Sequence, residues 1–230
     1  MMRTRGQQGA NRALDLVVAV AALLLLAPVL AAIALWVWWD RSGSIVYAEA
    51  RVGRGGRPFP VYKFRTLRAG SPVEPAVAVA GDRRVTGPGA LLRRWRLDEL
   101  PQLACLLAGS MSLVGPRPQT ADNLAALDAQ SRDRMLAVRP GLISRAALLH
   151  LGEDEVLAGF RDPVRCYRTI LLPAKVGLEL ADLDTWSLAQ DLRVLVQTAV
   201  QVFTPGARRR SEQRVRDLLL HGGAVPVATS

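Results

Sequence analysis

Two adjacent carboxylates, Asp98 and Glu99, follow three closely spaced arginines, Arg93, Arg94 and Arg96, and a further arginine, Arg117, stands between prolines in Gly115-Pro-Arg-Pro118. This is an inventory for handling phosphate. An ionised aspartate can attack phosphorus as a covalent nucleophile or hold Mg²⁺, while guanidinium groups neutralise charge on the group being transferred. Mg²⁺ also suits a diphosphate substrate, because it takes few protein carboxylates and keeps phosphate oxygens as ligands. Neighbours on a helix project about 100° apart, so Asp98 and Glu99 cannot both address one atom and are expected to have different jobs. Pro116 and Pro118 stiffen the backbone around Arg117, which lowers the entropy lost on binding. The plain alternative is a surface acid pair bridged to nearby arginines.

Other chemistries lack their parts. His150 and His221 are the only histidines, too few for a zinc site, and a serine-histidine triad lacks parts as well. There is no phosphate-binding Gly-x-x-x-x-Gly-Lys-Ser/Thr loop, and Gly53-Arg-Gly-Gly56 is too weak for a dinucleotide fingerprint. Cys105 and Cys166 sit among apolar neighbours and read as buried, reduced thiols, in keeping with a cytoplasmic catalytic domain.

The chain has 230 residues, 50% of them hydrophobic, and a formal net charge of +10, which excludes a disordered or disulfide-framed protein. Lys63 and Lys175 are the only lysines, so arginine carries nearly all the positive charge. That points to an anionic partner: nucleic acid, an anionic membrane face or a phosphorylated substrate. A nucleic-acid binder has no recognition helix or aromatic stacking block to support it.

The residues that would do chemistry must be held against a membrane. Leu16 to Trp39 carries no charge, and as a helix it reaches about 36 Å against a hydrocarbon core of about 30 Å. The run far exceeds the ~7–15 residues of a cleaved signal core, despite the Ala48-Glu49-Ala50 pattern after it. Trp36, Trp38 and Trp39 crowd its end like an interfacial belt. Pro28, at the centre, predicts a bend. Arg3, Arg5 and Arg12 precede the run while Arg41, Arg51, Arg54 and Arg57 follow it, so both ends are cationic. This favours a re-entrant hairpin with both ends in the cytoplasm over a simple span.

Beyond it, the strand-like runs Ile45 to Tyr47 and Phe59 to Phe64 flank a Gly/Arg-rich stretch and predict a small hairpin. Gly70 to Gly81 reads as a loop. Ala90 to about Leu100 reads as an amphipathic helix with Leu91, Leu92 and Trp95 on one side, on a membrane surface or simply solvated. Gly109 to Pro118 reads as a fixed loop and Ala121 to Val138 as a polar helix. Asp184 to Phe203 keeps a stripe of Leu188, Leu192, Leu195, Ala199 and Phe203 that is expected to pack.

Tyr62-Lys-Phe-Arg-Thr-Leu67, Arg96-Leu-Asp-Glu-Leu-Pro-Gln-Leu103 and Met111-Ser-Leu-Val-Gly-Pro-Arg-Pro118 resemble the signature blocks of the bacterial sugar transferases. More narrowly, the chain is similar to the monotopic polyprenyl-phosphate phosphoglycosyl transferases that begin exopolysaccharide, O-antigen and glycoconjugate assembly. Arg51-Val-Gly53, Arg139-Pro-Gly141 and Trp186-Ser-Leu188 extend the match, which runs from about Arg12 to Phe203. The resemblance implies transfer of a sugar-1-phosphate from a nucleotide diphosphate sugar, usually a UDP-sugar, to undecaprenyl phosphate, with release of UMP. It makes Asp98 the nucleophile of an aspartyl-phosphosugar intermediate and Glu99 its assistant, with both carboxylates available to Mg²⁺. Lys63, Arg65, Arg96, Arg117 and Arg139 become the substrate-binding set, and Pro28 the membrane break.

The expected architecture is α+β and mostly helical, with a basic leader over 1–12 and a re-entrant membrane helix over 13–40. A small catalytic domain over 41–204, with amphipathic helices and a short hairpin, follows on the cytoplasmic face of the bacterial inner membrane, against anionic lipid. A basic, disordered tail fills 205–230, and homodimerisation stays open. The chain departs from the family pattern at Ser110, where Asp is usual, at Glu49 or Ala50, where Gln is common, and in Leu142-Ile-Ser-Arg145. Ser110 is what supports the alternative of a catalytically weakened membrane scaffold.

Overall fold

The computed structural model describes residues 5–71, 79–144, 146, 153–185, 187–204 and 206–220. It opens with one long helix, α1 (Arg5–Trp39), 35 residues rich in Ala and Leu. α1 runs through Pro28, which has no N–H to offer the Leu24 carbonyl. Of the described residues, only Asn11–Trp39 is long and apolar enough to cross a membrane. Its two ends dock while its middle stands clear: Leu24 and Leu25 are 74% and 79% exposed. Ala19 is buried with Val61, Cys105, Leu106, Met111 and Leu113. Ile33 and Val37 are buried with Phe64 and Leu92.

Polar contacts fix the first of these docking points. Asp15 is buried and accepts hydrogen bonds from the Ser112 hydroxyl (2.9 Å) and the Leu113 amide (2.8 Å). Arg12 donates to the carbonyls of Leu106 and Leu107. Those are last-turn acceptors of a short helix, where a cation also meets the negative end of the helix dipole.

A hairpin follows: β1 (Val46–Val52) pairs antiparallel with β2 (Pro58–Phe64), with Val46 opposite Phe64 and Arg51 opposite Phe59. The connecting turn needs positive φ at Gly55 (70°) and Gly56 (77°), which explains the glycines of the Arg51–Pro58 stretch. Pairing places Tyr47, Glu49, Arg51, Phe59, Val61 and Lys63 on one face.

α2 (Gly87–Trp95) is capped by Thr86, whose hydroxyl accepts from the Gly89 amide at 2.9 Å. It stops five residues short of the expected end. The chain instead leaves α2 through Arg96 in the left-handed region (φ 59°) and tightens into a 3₁₀ turn, Leu97–Gln102. Asp98 and Glu99 therefore ride a turn and not a helix face. Leu92 packs inward, while Leu91 and Trp95 are exposed.

α3 (Leu103–Ala108) leads to β3 (Ser112–Val114), a strand within the segment read as a loop. The polar helix expected over Ala121–Val138 is two short ones, α4 (Ala121–Ala125) and α5 (Ala129–Leu136), each started by a side-chain cap, Thr120 and Asp128. β4 (Gly141–Ile143) then pairs parallel with β3, Ser112 opposite Gly141. The crossing is tight enough that a Cβ on Gly141 would lie 2.1 Å from the Gly115 nitrogen.

The remaining helices are α6 (Glu153–Leu157), α7 (Pro163–Cys166), α8 (Leu172–Asp184), α9 (Leu188–Phe203) and α10 (Ala207–Leu220), with a π turn, Tyr167–Leu171, before α8. The architecture is thus mostly helical with two small two-stranded sheets. Two expectations change here. The tail assigned to disorder over 205–230 holds α10, whose Val215 and Leu219 are buried with Val156, Leu157 and Leu171. Residues 221–230 lie outside the described residues. The α9 stripe packs at Leu195, but Leu192 is 62% exposed, beside exposed Val196 and Val200.

Candidate active site

Three elements meet around Glu99: the 3₁₀ turn that carries it, the end of β2, and the Pro-Arg-Pro turn after β3. Arg117 grips the carboxylate with both nitrogens, Nη2 to Oε1 at 2.5 Å and Nη1 to Oε2 at 3.3 Å. Arg96 Nη2 reaches Oε2 at 2.7 Å, and Lys63 Nζ stands 3.7 Å from Oε1. Burial alone would push the Glu99 carboxyl up, yet Arg117, Arg96 and Lys63 outweigh it and hold the group well below the usual carboxylate range. The ionised form of Glu99 is strongly favoured here, and three cations share it.

Asp98 is its counterpart in the opposite sense. Only 8% exposed, it keeps one carboxylate oxygen, Oδ1, buried without a hydrogen-bond partner. Burial first, then the adjacent Glu99 charge, raises its pKa against the pull of Arg96, Lys63 and Arg93. A carboxylate that is poorly solvated and not fully paired is a better nucleophile than one saturated with donors, and neighbouring cations are placed to receive a phosphoryl group.

The motif blocks explain how Arg117 is aimed. With proline on both sides, Arg117 has the only backbone N–H in 116–118. The Arg51 guanidinium donates to the Pro118 carbonyl (3.1 Å), the Gly141 amide to the Pro116 carbonyl (2.8 Å), and the Gln119 side chain to the Arg117 carbonyl (3.2 Å). Arg51-Val-Gly and Arg-Pro-Gly141 therefore serve the turn that carries the guanidinium.

Of the residues singled out in the sequence, Lys63, Arg96, Asp98, Glu99 and Arg117 gather at this point. Arg65 does not join them: it donates to the Ser44 carbonyl (2.8 Å) and hydroxyl (2.6 Å) and lies over the Tyr47 ring at 5.7 Å, bracing the loop after α1. Arg139 stands in the field of Arg54, Arg12 and Asp15, on the side where α1 docks. Pro28 is within α1, and Trp186 and Arg145 lie outside the described residues. Ser110 sits beside Gly109, whose Cβ position faces the Arg12 guanidinium, and its hydroxyl donates to the Cys105 carbonyl at 3.1 Å. Position 110 thus belongs to the α1 junction.

Sequence reasoning missed several neighbours. Glu49 binds Arg51 (2.7 Å) and lies 3.6 Å from Lys63, so one lysine is shared by two acids; the strand register, with 49 and 63 on one face, is the signal that would have found it. Lys175 and Glu153 form a buried ion pair with the Tyr167 ring 5.3 Å from the ammonium. Burial dominates the lowering of the Lys175 pKa, with Glu153 opposing it. The long spacing between these residues leaves no local sequence signal.

The described residues include no cluster of three or more His, Cys, Asp or Glu able to hold a metal. The oxygens of Glu99 are taken by cations, which leaves Asp98 Oδ1 as the unpartnered donor. Such a set does not cage an ion by itself. Its one unpaired carboxylate oxygen could serve an Mg²⁺ whose other ligands are diphosphate oxygens.

Comparison with known proteins adds an independent line. The sequence pattern described as "Bacterial sugar transferase" matches residues 6–205. A UDP-glucose:undecaprenyl-phosphate glucose-1-phosphate transferase of Xanthomonas campestris pv. campestris is 36% identical over 82% of this chain and 38% of its own length. A protein of the same name from Caulobacter vibrioides is 35% identical over 84% of this chain and 70% of its own. The exopolysaccharide production protein PSS of Rhizobium leguminosarum bv. phaseoli is 34% identical over 85% of this chain and 96% of its own. The chain thus spans well under half of the Xanthomonas relative and nearly all of the Rhizobium one. With that match covering both the docked α1 and the turn that gathers Arg117, Glu99 and Asp98, this chain belongs to the bacterial sugar transferase family.

Proposed function

We propose that the protein is a membrane-bound phosphoglycosyl transferase that moves a sugar-1-phosphate from a UDP-sugar to undecaprenyl phosphate, the substrates in the names of its Xanthomonas and Caulobacter relatives. The observation that carries the reading is the buried, unpartnered Asp98 oxygen beside a Glu99 carboxylate that gathers three cations. Asp98 attacks the sugar-bearing phosphorus, the bond from that phosphorus to the oxygen of UMP breaks, and UMP leaves. A phosphate oxygen of undecaprenyl phosphate then attacks the same phosphorus, releasing Asp98 and forming the diphosphate-linked lipid sugar. Arg96, Arg117 and Lys63 trade part of their contact with Glu99 for the donor's phosphates, offsetting the developing charge. Mg²⁺ arriving with the diphosphate and held at the Asp98 carboxylate would add charge neutralisation on the leaving group.

The lipid acceptor requires a site at a bilayer surface, and α1 supplies a means. Its docked points, Ala19 and Ile33, are separated by a helical rise of only about 21 Å, less than the ~30 Å of hydrocarbon. A helix pinned at both to one domain dips into the membrane and returns, with its exposed middle toward Pro28 deepest. The exposed Leu91 and Trp95 of α2 and Leu192, Val196 and Val200 of α9 add apolar contact with lipid. The catalytic domain then lies on the cytoplasmic face of the inner membrane.

Incubating the purified membrane fraction with a panel of UDP-sugars and polyprenyl phosphate is expected to release UMP with one or a few donors. No UMP from any nucleotide sugar would leave the scaffold reading instead. For topology, Arg5→Cys and Ile45→Cys, each probed with a membrane-impermeant thiol reagent, are expected to label from the same side. Labelling from opposite sides would replace the hairpin with a span.

A further inference from the structure

The last contact on the Pro-Arg-Pro turn comes from a residue that no motif contains. Glu179, in the middle of α8, is 3% exposed, and its Oε1 accepts from the Arg117 backbone amide at 3.0 Å. The same oxygen accepts from the Ser144 hydroxyl, also at 3.0 Å, just after β4. One carboxylate oxygen thus ties α8, the end of β4 and the only amide of the turn. On the far side of that residue, the Arg117 guanidinium holds Glu99.

A buried carboxylate is costly, and here burial drives the Glu179 carboxyl up to about 7 while its second oxygen has no partner. A leucine of similar volume would fill the place more cheaply, so packing does not account for an acid here. Its bond to the Arg117 amide does. Without an acceptor, that amide, set between two prolines, would lose its partner, and the turn would lose the contact that sets the direction of its arginine.

We propose that Glu179 is a positioning residue for phosphate transfer, acting through the backbone of Arg117 to aim the guanidinium at the donor's diphosphate. The proposal rests on the functional reading only in taking Arg117 as a phosphate contact. Glu179→Leu removes the acceptor and is expected to lower kcat/KM for the UDP-sugar by about 10–100-fold, from the worth of a buried hydrogen bond. Glu179→Gln keeps a carbonyl oxygen in place and is expected to stay within about threefold of the parent. In an Arg117→Ala background, Glu179→Leu should cost less than about twofold more, because the side chain it aims is gone.

Amide hydrogen exchange separates this proposal from the functional reading. The segment 115–118 contains only the amides of Gly115 and Arg117, and Gly115 is bonded to the Ile143 carbonyl at 3.1 Å, so overlapping peptides that span it read the Arg117 amide. Exchange there should speed up in Glu179→Leu and not in Glu179→Gln. Unchanged exchange in Glu179→Leu, or losses that multiply with Arg117→Ala, would overturn the positioning role. Faster exchange alongside an Arg117→Ala variant of normal donor KM would sustain the positioning link and refute Arg117 as the phosphate contact.

Discussion

Asp98→Asn is expected to lose phosphosugar transfer by at least about 10³-fold and, in the same protein, to melt at a higher temperature than the parent. The two effects share one cause. Burial and the neighbouring Glu99 raise the Asp98 pKa, so folding favours its protonated form and opposes its charge. For such a group, stability is greatest below the ordinary carboxylate pKa and declines as pH rises through the raised value. An amide has no charge to bury, so the variant escapes that decline. Its gain in melting temperature over the parent should therefore widen from acidic to neutral pH. The amide is also far too weak a nucleophile to attack phosphorus. A gain in stability with loss of function marks a site whose reactivity is held against the preference of the fold. A variant that loses activity and melts lower would point to a structural role for Asp98.

Glu99→Gln is expected to reverse that pattern. Its carboxyl is held well below the usual range, because Arg117, Arg96 and Lys63 overcome the burial that would raise it. The stability it provides is present above the ordinary glutamate pKa and lost as pH falls below it. Neutralising it leaves two arginines and a lysine around a single amide, and removing one partner of a buried ionic cluster costs about 3–5 kcal/mol. Those same cations, no longer shared with a carboxylate, should hold UDP more tightly. Thermal unfolding with and without UDP checks this: Glu99→Gln should melt below the parent and be rescued by UDP by a larger margin. Its turnover should fall less than in Asp98→Asn. A variant as stable as the parent, with no greater response to UDP, would contradict the charge balance described for the site.

What could be read from the sequence was local. The uncharged run before Trp39, the hairpin around Gly55-Gly56, and the acid pair among arginines each have their cause within a few residues. What escaped depends on partners distant in sequence. Arg96 adopts a left-handed backbone that no spacing rule assigns to arginine, and it ends α2 before the apolar pattern does. β3 and β4 have three residues each, too few for alternation to show, and are held together by the Gly115–Gly141 approach. Glu179 lies 62 residues from Arg117 and resembles any polar position on an amphipathic helix. Arg65 shares a block with Lys63 but faces Ser44, which proximity in sequence alone could not reveal.

The central claim is that a buried aspartate oxygen takes up the sugar phosphate before the lipid does. Protein incubated with a donor UDP-sugar in the absence of polyprenyl phosphate, quenched, digested and analysed by mass spectrometry should carry one phosphosugar on the peptide containing Asp98. The same peptide from Asp98→Asn should carry none. Release of UMP with that peptide unmodified, or with the adduct on another side chain, would contradict the account.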